Sequence, residues 1–174
     1  HFYDQESQKY KIENGVTKTA AELVQFYIDL VAQHQCISMI NDPMSEVDHA
    51  GWELIKTALT GRIKVFGGDI YASQSILARR GLKKGWTNGI FVQPAQAGTI
   101  SDAASAARLF KQKGKLVAIS RRAGETCDTL ITDLAVSIQS DYFIGGGLSR
   151  SDSNEKYNNL VRIYEYLRDR SMLS

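Results

Sequence analysis

The sequence predicts an α/β protein built around a parallel sheet. Three observations carry this expectation. Short apolar runs recur with starts about 26 residues apart; segments of helical periodicity with helical start signals separate them; and each run is three to five residues long, mostly β-branched or aromatic. Runs of that kind are the pattern of strands buried on both faces, and strict alternation with helices gives parallel strands joined by right-handed crossovers.

The elements follow in chain order. The strand runs are Cys36 to Ile40, Ile63 to Phe66, Gly89 to Val92, Lys115 to Ile119 and Tyr142 to Ile144. The first helix follows Thr19, with Glu22 three residues on as a capping box and Leu23, Val24, Phe26, Tyr27, Leu30 and Val31 on one broad face. A second follows Ser45 with Asp48 in the N3 place, then Trp52, Ile55 and Leu59. A third starts near Ser73, and a fourth runs from Ser101 through an Ala-rich stretch to Gly114, a natural C′ glycine. A fifth spans about Glu125 to Ile138, and the last Ser153 to Arg168. Two architectures accommodate this order: an open doubly wound sheet of five strands, and part of a (β/α)8 barrel, which takes ~250 residues to close. The 174 residues favour the open sheet.

Composition excludes several classes. Hydrophobic residues at 43% and charged residues at 23% are ordinary for a globular chain. The net charge of +2, from 21 basic and 19 acidic residues, gives no reason to expect nucleic acid or an anionic membrane as the main partner. No run of 18 apolar residues exists, and the polar N-terminus is not a signal peptide. Cys36 and Cys127 are too far apart in sequence to suggest a disulfide framework and have no companions at zinc-ligand spacing, which favours a reducing compartment. Cys36 reads as a packed thiol, and His1, His34 and His49 read as surface residues.

In either architecture, function belongs at the C-terminal ends of the strands. These carry Asn41-Asp42-Pro43, Gly67-Gly68-Asp69, Gln93 to Gln96, Ser120 to Thr126 and Gly145 to Asp152. Asp42 and Asp69 can place two carboxylates at one mouth, as a divalent metal wants; equally, Asp42 can form an Asx turn before Pro43 and Asp69 can start a turn. Arg121 and Arg122 can clamp a phosphate or carboxylate, or sit as a solvated surface pair. The glycines at 145–147 can bring backbone N–H groups to an anion, or serve as a flexible turn. No strand end offers a nucleophile supported by a base.

Taken together, these segments resemble the enolase family, the glycolytic 2-phosphoglycerate hydro-lyases. HFYD is similar to the family's SEFY, SMINDP to SIEDP, KVFGGDIYAS to QLVGDDLFVT and QAGTISDA to NQIGTLTEA. The longest matches are RxGETxDTxxxDLAV from Arg122 and SRSxxxxKYNxLxRIxExL from Ser149. The resemblance implies that residues 1–174 are a partial C-terminal barrel domain, about five βα units of a (β/α)8 TIM barrel. The family's N-terminal domain and first barrel strands would then precede His1.

The resemblance also implies how far the family's chemistry survives. Gln93 stands at the general-base lysine position, and a neutral amide is not a base at any useful pH. Asn41 and Gly68 stand at two metal-carboxylate positions, which leaves Asp69 as a weak metal candidate. Ile144 fills the place of a second active-site lysine, Arg121 that of a substrate-side histidine and Ala123 that of a phosphate-contacting serine. Arg122, Gln96, Gly124, Glu125 and Arg150 match the family, so Arg122, Arg121 and Gln96 are the substrate-binding candidates. Losing the base and the metal carboxylates together implies a protein without phosphopyruvate hydratase activity. It would act as a structural or interaction component, with an active or residual hydro-lyase, or a binder of phosphorylated ligands, as the competing readings. No cofactor is then expected, and Mg²⁺ only if family activity remains. Protein partners, a larger assembly or a homodimer are expected, with no nucleic acid and no membrane. A cytoplasmic protein is expected, and enolase-like relatives of this kind in sperm and ciliary structures add cilium or sperm flagellum as a further expectation.

Overall fold

The computed structural model describes residues 2–12 and 15–172; His1 lies outside them. Two sheets are present. Strands β1 (Tyr3–Asp4), β2 (Lys9–Lys11) and β3 (Thr17–Lys18) form a small antiparallel meander, which the sequence patterns did not reveal because each strand has only two or three residues. The main sheet holds β4 (Met39–Asn41), β5 (Lys64–Gly67), β6 (Gly89–Val92), β7 (Leu116–Ser120) and β8 (Tyr142–Ile144). Every neighbouring pair is parallel and the spatial order is the chain order. A doubly wound sheet reverses direction at a switch point, so this topology decides against it and for a barrel segment.

The curl of the sheet shows in contacts between strands that are not neighbours. Three spacings of ~4.8 Å would put β5 and β8 about 14 Å apart in a flat sheet. Instead the rings of Phe66 and Tyr142 lie edge to face at 5.8 Å, and Lys64 Nζ donates to Tyr142 Oη at 2.7 Å. Because strand side chains alternate, the curl separates two cores. Val65, Ile90, Val92, Val117 and Ile119 face outward into the helices, against Trp52, Ile55, Leu59, Tyr71 and Phe110. Phe66, Phe91 and Ala118 face the concave side. A Cβ on Gly89 would run into the ring of Phe66, so the bare glycine is what lets that ring lie across β6.

The outer layer comprises α1 (Ala20–Gln33), α2 (His49–Leu59), α3 (Ser75–Lys84), the single turn α4 (Pro94–Ala97), α5 (Ile100–Gln112), α6 (Leu130–Ile138) and α7 (Ser151–Asp169). The capping box at Thr19 and Glu22 is present. Leu23 and Val24 are buried beneath it, while Phe26 points outward and Ile28 takes its place, since one helical stripe cannot hold both. Gly114 ends the α5 region with φ +64°.

Several expected boundaries move, each for a local reason. The cap of α2 is Asp48, not Ser45: a turn from Asp48 N–H to Ser45 O comes first, and Asp48 Oδ1 accepts from Gly51 N at 2.8 Å. The cap of α5 is Thr99, one turn residue ahead of Ile100, rather than Ser101. α6 starts at Leu130 instead of Glu125, because Thr126 and Asp128 side chains bond to nearby backbone N–H groups and hold that stretch as a loop. α7 starts two residues before Ser153. The first main strand starts at Met39, since Ile37 N–H turns back to His34 O, and Cys36 is exposed in that turn rather than packed. His34 and His49 are exposed as expected, His49 stacking on Trp86 at 5.1 Å.

Candidate functional site

The parallel order brings all five strand ends to one rim. There Asn41, Asp42, Gly68, Asp69, Phe91, Gln93, Arg121, Arg122 and Ala123 line a cleft of about 250 Å³. Of the candidates named from sequence, Asn41, Asp42, Gly68, Asp69, Gln93, Arg121, Arg122 and Ala123 line it directly, and Gln96 reaches it through a 2.7 Å hydrogen bond from Nε2 to Asp69 Oδ1; Gly124, Glu125, Arg150 and the glycines at 145–147 lie outside it. Ile144 is partly exposed at the end of β8 but does not line this cleft.

The acidic side of the mouth is closed on itself. Asp42 has φ +46°, and its carboxylate accepts from Gly68 N at 2.8 Å, Asp69 N at 3.1 Å and Asn41 Nδ2 at 3.0 Å. The expected Asx turn is therefore replaced by a cross-strand clamp that ties the end of β4 to the end of β5. Burial pushes the Asp42 carboxyl above the usual aspartate range; the Gly68 and Asp69 N–H groups only partly offset it, and the neighbouring Asp69 charge adds to it. Asp69 starts the expected turn, with Tyr71 N–H and Ala72 N–H returning to Gly68 O.

The donor set does not fit the family's magnesium. Mg²⁺ wants near-octahedral oxygen coordination. Here Asp42 spends its oxygens on three N–H donors, Asn41 offers a neutral amide, and one Asp69 oxygen is held by Gln96. A Cβ built on Gly68 would stand 2.7 Å from Asp42 Oδ2, so Asp42 occupies the space a side chain at 68 would need. Among the described residues no three His, Cys, Asp or Glu side chains gather in a way that could hold a metal ion.

At the end of β6, Gln93 is fixed from both ends. Its N–H donates to Ser73 Oγ at 2.8 Å, and its side-chain Nε2 donates to Arg121 O at 3.3 Å. Ser73 is fully buried with φ +54°, follows Ala72 with φ +43°, and donates to Gln96 Oε1 at 3.3 Å. Two successive non-glycine residues in the left-handed region mark a strained loop held by its surroundings.

The arginine pair divides. Arg121 is drawn back, with Nη1 3.6 Å from Asp152 Oδ2, and it lies over Gly146, where any Cβ would strike its guanidinium. Arg150 Nε binds the other oxygen of Asp152 at 3.1 Å. Burial would raise the Asp152 carboxyl, but the Arg150 hydrogen bond and charge, with Arg121 behind them, hold it below its ordinary value. Arg122 is exposed and, among the described residues, carries no ion pair. Its backbone N–H donates to Glu125 Oε1 at 3.2 Å.

Lys156 was not anticipated as part of this region. Its side chain is fully buried and its Nζ meets Glu125 Oε2 at 3.0 Å, Thr126 O at 2.9 Å and Asp152 O at 3.0 Å. It therefore pins the loop carrying Arg122 to α7. The signal was present: Lys156 stands three residues after Ser153 and four before Leu160, on the inward stripe of its helix.

The whole chain, residues 1–174, matches the family described as the enolase C-terminal TIM barrel domain. With five sequentially ordered parallel strands curled into a half-barrel and the strand-end segments gathered at one mouth, this chain belongs to the enolase family.

Proposed function

We propose that this protein is an enolase-fold scaffold that has lost hydro-lyase chemistry and acts through its surfaces as a structural or interaction component. The observation that carries the reading is the mouth itself. The amide of Gln93 stands bonded to a backbone carbonyl at the end of β6, and Asp42 fills the space beside Gly68. A base and a cation-holding set of carboxylates are each worth orders of magnitude in rate for removing a proton α to a carboxylate. Neither role has a competent side chain among these residues. The family setting suggests a cytoplasmic protein, with cilium or sperm flagellum as the further proposal; no helix among the described residues is long and apolar enough to cross a membrane.

The test is conversion of 2-phosphoglycerate to phosphoenolpyruvate with millimolar Mg²⁺, followed by ultraviolet absorbance in the full-length protein. Turnover indistinguishable from buffer is expected. A rate within about a hundredfold of an ordinary enolase overturns the reading, since that loss is the least expected for removing one general base.

One observation favours a narrower second reading, a binder of phosphorylated ligands: Arg122 has no ion pair and faces the cleft while Arg121 is bound to Asp152. Calorimetry with 2-phosphoglycerate checks it, and binding that survives Arg122→Ala removes it.

A further inference from the structure

Net charge conceals how the charges are distributed. Parallel strands bring all their N-terminal ends to the face opposite the mouth, and the residues there are strongly basic. Arg62 and Lys64 stand at the start of β5, Lys83 and Lys84 at the end of α3 just before β6, and Lys113 and Lys115 just before β7. Among the described residues none of these six is in an ion pair. Lys64 and Lys115 have only neutral partners, the Tyr142 hydroxyl and the Thr87 carbonyl, so their charge is uncompensated. Acidic neighbours are few: Glu53 pairs with Lys56, and Asp141 pairs with Lys111 at 3.2 Å.

Helix dipoles account for only part of this, since Lys83 and Lys84 lie in the last turn of α3 and Lys113 is the C-cap of α5. Cations at helix C-termini are commonly stabilising, and α1, α2, α3, α5, α6 and α7 end on this face. Yet α1 and α6 have no basic residue in their last turns, and Arg62, Lys64 and Lys115 lie in connections or strand starts beyond any last turn. The charge is concentrated under β5, β6 and β7.

We propose that this basal face is a docking surface for an acidic polypeptide segment. The proposal names the partner chemistry for the scaffold reading, but the face lies opposite the mouth and does not depend on what happens there. Charge complementarity argues for an anionic partner. Its composition argues for a polypeptide, and a cleft of about 240 Å³ between Lys56, Gly85, Trp86 and Lys115 opens on it. None of the exposed large apolar residues falls within 60–64, 83–88 or 111–116, so no side chain is available to enter a lipid interface. Trp86 is buried, and the connecting turns are short, so the face offers neither a stacking platform nor an element that enters a groove.

The experiment uses fluorescence anisotropy of the full-length protein with a labelled twelve-residue poly-glutamate peptide, beside a 20-base-pair duplex and phosphatidylserine-containing vesicles. The peptide should bind at 50 mM salt, with affinity falling about tenfold by 200 mM as screening increases. Reversal at Lys83→Glu, Lys84→Glu and Lys113→Glu should weaken it a further tenfold or more. Arg108→Glu, on an exposed position mid-way along α5, should change it less than twofold. Urea unfolding of each variant establishes that the fold is intact, and if the triple variant does not fold, Arg62→Glu with Lys115→Gln replaces it. No peptide binding at 50 mM salt, an equal loss in the Arg108 control, or tighter binding of duplex or vesicles overturns the proposal. None of these results bears on the hydro-lyase assay, so the two readings fail separately.

Discussion

Replacing Lys156 with Met tests whether the mouth loop is held by a buried charge. The methionine matches the stem but removes three contacts: the 3.0 Å ion pair to Glu125 and the hydrogen bonds to Thr126 O and Asp152 O. Asp152 O remains within helix α7, so its loss is small. Glu125 is the costly remnant, because its side chain is only 17% exposed and keeps a single N–H donor from Arg122. Removing one partner of a buried pair costs about 3–5 kcal/mol, and the residual exposure of Glu125 places this case near 3 kcal/mol. With a urea slope of about 2 kcal/mol/M, the unfolding midpoint should fall by about 1.5 M. Glu125→Gln in the Lys156→Met background should recover much of that loss, because the orphaned charge is gone. Limited proteolysis should cut the 121–129 loop faster in the single variant than in the double. A Lys156→Met cost below about 1 kcal/mol, or strict additivity of the two changes, refutes the reasoning.

Other outcomes follow from the same geometry. Gly81→Ala should destabilise by about 1–3 kcal/mol despite the better helix propensity of Ala, because the new Cβ meets the buried ring of Tyr71; thermal unfolding reads it. Phe110→Ala, emptying a fully buried site against Tyr71, should cost about 3–5 kcal/mol in urea unfolding. Gln93→Lys alone should restore no phosphopyruvate hydratase turnover, and adding Gly68→Asp should lower stability by displacing Asp42; an activity assay and an unfolding midpoint check the two halves. Acid unfolding should split by sign. A carboxyl raised in the native state, as at Asp42, adds stability as pH falls toward the ordinary value of ~3.9, whereas one held low, as at Asp152, loses its contribution as pH falls through and below that value. Asp42→Ala should therefore steepen the loss of stability between about pH 6 and pH 3, and Asp152→Asn should flatten it, as read from urea midpoints across that range.

Periodicity and capping chemistry are local, and they determined much of this protein from sequence alone. The two-sided apolar runs marked five strands, two of them with their observed bounds, and the Thr19–Glu22 pair marked the start of α1. The spacing of strands and helices set the class, and the extended motifs from Arg122 and Ser149 set the family. What stayed hidden depends on contacts far apart in sequence. Whether five strands make an open or a curled sheet is decided by spatial order and by the Phe66–Tyr142 contact, neither of which periodicity encodes. Asp42 reads as a local turn residue in sequence, but the turn after β5 supplies two N–H donors to it from 26 and 27 residues away. The resemblance set Arg122 apart from Arg121 by family position, but only the placement of Asp152 on α7 separates a spent guanidinium from an available one. The +2 total charge likewise said nothing of the basic end, because a sum carries no positions and the parallel topology alone collects those lysines on one face.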